Sequence, residues 1–270
     1  MPLVKNNKKV GLVLGCGGAR GIAHIGVLKV LEREGIKPSF IVGSSIGAVI
    51  AGAYALGMTV EEIEKVALGF NNRARIGKMF DISLSKGSLI KGNKIIDFLK
   101  ELFGEATFAD VKIPLRIVAT DLESGEEVVI KKGSIALAAQ ASSAIPGLFP
   151  PAKYENKYLI DGGIVNPTPI DVAEEMGAEV IVAVDLIMHK RIDFEKDPKL
   201  INVLLQAYEI VRTQAVVRKL EKVYKDTIII KPKIRGTMET LKFYDIGRFV
   251  KAGEDATEEM LSEIKKKIDL

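Results

Sequence analysis

Tryptophan is absent from this chain, cysteine occurs once and histidine twice, and each scarcity removes a class of explanation. A lone Cys16 cannot close an internal disulfide, so the fold must rest on its core, and a reduced, cytoplasmic setting is expected. Two histidines and one cysteine do not supply the ligand clusters of a zinc site, and neither a metal nor a cofactor is expected. Charge of one sign is also in short supply. The 39 Lys and Arg against 35 Asp and Glu leave an excess of +4 spread along the chain, which gives no reason to expect a nucleic-acid partner but suits peripheral contact with anionic lipid headgroups. No internal repeat, linker or low-complexity stretch is found, so one domain over residues 1–270 is the simplest expectation. The opening MPLVKNNKKV lacks the apolar run that follows the basic start of a signal peptide.

One stretch, 39–60 (SFIVGSSIGAVIAGAYALGMTV), carries no charge and is long enough to span a bilayer. Its small residues and its central Gly-Ser turn instead predict a strand at 40–42 and a buried helix at 46–56, with Gly57 as the stop. The same pattern precedes it: a strand at 10–14, the loop GCGGARG, and apolar residues at helical spacing from Ile22 to Leu31 before Gly35. Thr59 and Glu62 are spaced as a capping box opening another helix. Further on, 115–121 and 127–131 read as strands joined by a turn at Ser124 and Gly125. VIVAVDL at 180–186 reads as a parallel strand buried on both faces. A helix at 199–224, a strand at 227–230 and a charged helix at 245–267 follow. This alternation predicts an α/β fold layered around a mainly parallel sheet. The segment 71–91 mixes basic residues with Met79, Phe80, Ile82, Leu84, Leu89 and Ile90, which fits either a connection tucked into the core or an apolar cap facing lipid.

Gly43-Ser44-Ser45-Ile46-Gly47 matches G-x-S-x-G in the context where that pattern has physical meaning, between a buried strand and a buried helix. Ser45 is thereby forced onto a tight turn, and the helix behind it favours negative charge on its oxygen. The loop Gly15-Cys16-Gly17-Gly18-Ala19-Arg20-Gly21 can converge backbone N–H groups on a phosphate or an oxyanion. It does not complete G-x-G-x-x-G, and the second strand ends without a ribose-binding acid, so a dinucleotide site is disfavoured. For the base that a serine needs, the residues leave two candidates. His189 follows the strand at 180–186, whereas Asp161 ends an apolar run before Gly162 and Gly163; His24 reads as a structural imidazole in the first helix, and Cys16 as a small apolar neighbour.

Taken in order, GLVLGCGGARGIAHIGVLKVLE, GSSIGA, TDLESGE, AASSAIPGLFPP and YLIDGGIVNPTPI resemble the bacterial patatin-like phospholipases, which share their core with plant patatins and the neuropathy target esterase catalytic domain. The resemblance covers about 10–185. It implies a three-layer α/β/α sandwich and a lipid or ester substrate cleaved by a Ser-Asp dyad without histidine. On this chain the dyad is Ser45 and Asp161. The oxyanion hole falls to the backbone of Gly17, Gly18 and Ala19, with Arg20 beside it, and Cys16 stands where the family pattern usually has glycine.

Overall fold

The computed structural model describes residues 8–69, 82–85, 88–90, 92–187, 197, 199–220, 226–234 and 245–270, with the backbone course alone for 82–85 and 88–90. The uncharged stretch does not become a single long helix. It divides into strand β2 (Phe40–Ser44) and helix α2 (Ile46–Ala55), and among the described residues no helix is long and apolar enough to cross a membrane. Gly35 and Gly57 both take positive φ just past a helix end, as the stop signals predict. Thr59 and Glu62 form the expected capping box at the start of α3 (Val60–Leu68).

Strand β1 (Val10–Leu14) lies between β2 and β9 (Val180–Val184), parallel to both, and β10 (Thr227–Ile230) extends the sheet beyond β9. Alternation along these strands sorts side chains to two faces. Leu12, Leu14, Ile41 and Val182 pack with helix α1 (Ala23–Arg33), α2 and the last helix (Ile246–Lys267), while Val13, Val42, Ile181 and Ala183 pack with the short helix Ile170–Glu175. The architecture is therefore a sheet between helical layers, mostly parallel in its centre.

The sheet departs from the parallel pattern at β5 (Leu115–Asp121). One edge of β5 takes β6 (Glu127–Ile130) antiparallel; the other takes β2 alongside Leu115 to Val118, and then β8 (Lys157–Asp161) antiparallel alongside Ala119 to Asp121. Since β6 pairs with residues on both sides of that junction, β2 and β8 must share the opposite edge, one after the other. They run in opposite directions, so their C-terminal ends meet. Ser44 pairs with Val118 and Asp161 with the next residue, Ala119. Strand β8 forms a hairpin with β7 (Ala152–Tyr154), and β3 (Ile82–Ser85) pairs with β4 (Ser88–Ile90) in a separate small sheet. Most of the cap candidate 71–91, including Met79 and Phe80, lies outside the described residues.

Helices also form in three segments where none was expected from the sequence. They are α4 (Asn93–Phe103), α5 (Ile135–Ser142) and α6 (Ile170–Glu175), the short helix already met beneath the sheet. The long helix α7 (Leu200–Leu220) and the final helix α8 (Ile246–Lys267) complete the chain, both inside their expected ranges.

Candidate active site

Ser45 sits between the end of β2 and the start of α2 with φ 57 and ψ −127, a left-handed conformation that a residue with a Cβ adopts only under constraint. The constraint is close packing. A Cβ on Gly47 would stand 2.0 Å from the carbonyl oxygen of Leu14, so only glycine lets the first turn of α2 press against the end of β1. The turn is also held by hydrogen bonds: the Ser45 N–H donates to Ser142 Oγ at 2.8 Å, and that hydroxyl donates onward to the carbonyl of Val118 at 2.6 Å. The strained backbone throws Oγ off the helix axis towards the end of β8.

There it donates to Asp161 Oδ2 at 2.6 Å. The aspartate is fully buried and fixed at every polar atom. Its Oδ1 accepts the Gly163 N–H at 2.8 Å, its own N–H donates to Ala144, and its carbonyl accepts from Thr120 Oγ1. Gly162 is what permits the approach, because a Cβ there would lie 2.2 Å from the Val118 carbonyl oxygen. Burial pushes the Asp161 carboxyl above the usual carboxylate range, and the hydrogen bonds from Ser45 and Gly163 oppose that rise only in part.

The glycine loop leaves β1 beside this turn, since Leu14 pairs with Gly43. It folds into a 3-10 turn over Gly18–Ile22, opened by Gly18 at φ 57, and the first N–H groups of such a turn have no acceptor within it. Gly21 packs against Ile46, the residue after Ser45, which brings loop and serine together. Arg20 is not a solvated cation. Its Nε donates to the Gly17 carbonyl, and its Nη2 reaches Glu209 at 2.7 Å. His24 Nε2 donates to the Gly15 carbonyl at 2.8 Å. Burial depresses this imidazole to about 4, so it is neutral and holds the loop, although its Nδ1 has no partner.

Three contributors from α7 escaped the sequence reading. Arg212 is 1% exposed, ion-paired to Glu209 at 2.5 Å, hydrogen-bonded to Cys16 Sγ at 3.4 Å and stacked 4.6 Å from the centre of the Tyr208 ring. Glu209 therefore joins Arg20 to Arg212, tying the glycine loop to α7. Tyr208 brings its hydroxyl to the side of Asp161 and Gly163 without a hydrogen bond of proper geometry. Burial raises the Cys16 thiol to about 12, which makes it a neutral acceptor beside the loop rather than a nucleophile. The missed signal was a Tyr-Glu-x-x-Arg spacing that places all three on adjoining helix positions.

The acids at the ends of β5 and β9 are engaged elsewhere: Asp121 is held by Lys157 at 2.6 Å, and Asp185 accepts from the N–H of Ile187 at 3.0 Å. His189 lies outside the described residues. Among the described residues, the side chains brought to Ser45 Oγ and its turn are thus Asp161 and Ser142.

The family model described as Patatin-like phospholipase matches residues 12–174, more than half of the chain. An uncharacterized NTE family protein of Mycobacterium tuberculosis is 36% identical over 181 residues, covering 67% of this chain and 50% of that protein. The lysophospholipase NTE1 of Candida albicans is 33% identical over 185 residues, covering 68% of this chain and 13% of its own length. The chain thus spans half or less of these curated relatives. The crystal structure of VipD from Legionella pneumophila has a similar fold, with a TM-score of 0.56 at 18% identity, covering 96% of this chain and 67% of that one.

Proposed function

Because the chain belongs to the patatin-like phospholipase family, we propose that it is a lipid acyl hydrolase in which Ser45 is the nucleophile and Asp161 its general base. The observation that carries this reading is the 2.6 Å hydrogen bond from Ser45 Oγ to a buried carboxylate, with no imidazole between them. Ser45 attacks the ester carbonyl and passes its proton to Asp161 Oδ2. The tetrahedral oxyanion is received by the N–H groups of Gly17, Gly18 and Ala19. Asp161 then gives the proton to the departing alcohol, and water releases the acyl group by the reverse sequence.

Two features make an aspartate adequate for this work. Burial raises its basicity, and the N-terminus of α2 stabilises the developing charge on the serine oxygen, so the proton-affinity gap narrows from both sides. A lysophospholipid ester is the first substrate to assay, in view of the Candida albicans relative. Peripheral contact with a membrane follows from such a substrate.

An alkyl fluorophosphonate should label the intact protein at Ser45. Ser45→Ala should remove both the label and ester hydrolysis, Asp161→Asn should leave hydrolysis nearly absent, and His189→Ala should stay within roughly tenfold of the parent. Labelling of Ser44 or Ser142, or a His189→Ala variant as inactive as Ser45→Ala, would overturn the assignment.

A further inference from the structure

Helix α7 has two faces of opposite character. Tyr208, Arg212 and Val216 point inward and are buried against the site. Outward, at the alternating three and four spacing of a continuous stripe, stand Leu200, Val203, Ala207, Ile210, Gln214 and Val217. The aliphatics among them are 67% (Leu200), 46% (Val203), 52% (Ile210) and 38% (Val217) exposed, and Val211 beside them is 45% exposed. A helix covered only by water would carry polar residues there. The single acid of the helix, Glu209, is turned to Arg20 and Arg212. The outer face has no acidic residue within the helix; exposed Lys199 and Arg218 stand at its two ends, with exposed Asp197 two residues before Lys199. Lys219, by contrast, pairs inward with Asp171.

The spacing alone would suit another helix, including a second copy of this chain. Charge decides against that occupant. An antiparallel pairing would set Lys199 against Arg218, and a parallel one would set each cation against its own copy; Asp197, the one described acid near either end, offsets only part of this and leaves both seams with an excess of positive charge. An aliphatic row with cations at both ends matches the acyl boundary and headgroups of an anionic lipid surface.

We propose that α7 is the lipid-docking element of this protein, lying in the interface of an anionic membrane or aggregate with Val203, Ile210 and Val217 downward. The inference rests on the lipid hydrolase reading of the site and adds the surface that delivers the substrate. Because the inward face of the same helix reaches Asp161 through Tyr208 and the glycine loop through Glu209, docking sets the site directly above the lipid.

The test uses intact Ser45→Ala protein, so that binding is measured without turnover, in flotation with phosphatidylcholine vesicles and with vesicles that also contain phosphatidylglycerol. Binding should favour the anionic vesicles. The double variant Val203→Glu, Ile210→Glu should weaken it by at least about tenfold, and Lys199→Gln and Arg218→Gln by about fivefold each. In the Ser45 parent, the double variant should keep hydrolysis of a soluble short-chain ester. A second measurement avoids reliance on a charged variant: Val203→Cys, in a chain whose other thiol is buried, carries an environment-sensitive dye whose emission should shift to the blue on anionic vesicles, unlike the same dye at exposed Glu61→Cys on α3. Undiminished vesicle binding by the double variant, an unshifted dye at position 203, or a dimer that the double variant dissociates in sedimentation would each overturn the proposal. Vesicle binding without fluorophosphonate labelling would instead sink the hydrolase reading.

Discussion

Replacing Ser45 by alanine and by glycine should give two inactive proteins of different stability. Both lose the hydroxyl and its bond to Asp161, so that loss cancels in the comparison. What remains is the backbone. At φ 57 and ψ −127 any residue with a Cβ is strained, by about 1–3 kcal/mol, and glycine is not. Glycine in turn gives the unfolded chain more freedom, which costs about 0.4–1 kcal/mol. The difference favours Ser45→Gly over Ser45→Ala by about 1.3 kcal/mol at mid-range and by at most about 2.6, with roughly 2–4 °C of melting temperature for each ~1 kcal/mol in a protein of this size. Matched thermal melts, checked for reversibility, measure it. If Ser45→Ala melts at or above Ser45→Gly, the turn is not strained and the account given for the position of Oγ fails.

Burial raises the Asp161 carboxyl, and the proposed role as base requires it ionised, so kcat/KM for a soluble ester should rise with pH through a value above the ordinary carboxylate range near ~3.9. The same shift has a stability consequence: a raised folded-state pKa contributes stability that is present below the unfolded pKa and is lost as pH rises through the folded one. Asp161→Asn keeps the bond accepted from Gly163, reverses the other so that its amide donates to Ser45 Oγ, and removes that loss, so it should melt above the parent near neutral pH while being inactive; a lower melting temperature would contradict the desolvation argument. Ser142→Ala leaves the Ser45 N–H and the Val118 carbonyl unpaired in a buried place, and denaturant unfolding should show a loss of about 1–3 kcal/mol with kcat falling more than KM changes. Unchanged stability there would mean that the turn is held by packing alone.

The parts of this fold that were legible in the sequence are those with a local signal. Strands at 10–14 and 180–184 are continuous apolar runs because both of their faces are covered, and Gly43 to Gly47 and the glycine loop announce themselves by residues that only a tight approach requires. Strand β8 was harder, because Lys157 and Tyr158 face solvent and only Leu159 to Asp161 are buried, too short a run to show a period. Helix α5 reads Ile-Ala-Leu-Ala-Ala-Gln-Ala-Ser, nearly all small and buried, so it has no polar face to reveal its period or to single out Ser142. For α7 the range was recoverable but not the orientation: aliphatics lie on both faces, and the buried one is marked by Arg212, which pattern reading assigns to solvent. The pairing of Ser45 with Asp161 was available only through resemblance, since it depends on two strands sharing one edge of β5.

That shared edge has a bearing on synthesis. Ser45 and Asp161 stand 116 residues apart, and the aspartate comes to the serine on the β7–β8 hairpin, which lies beside the same strand that pairs with β2. On the proposed dyad, a chain emerging from the ribosome carries its serine through more than a hundred further residues before its proton acceptor is made. A hydrolase able to attack lipid would be inert throughout that interval, and would acquire its reactivity only once the far half of the sheet had closed on the near one.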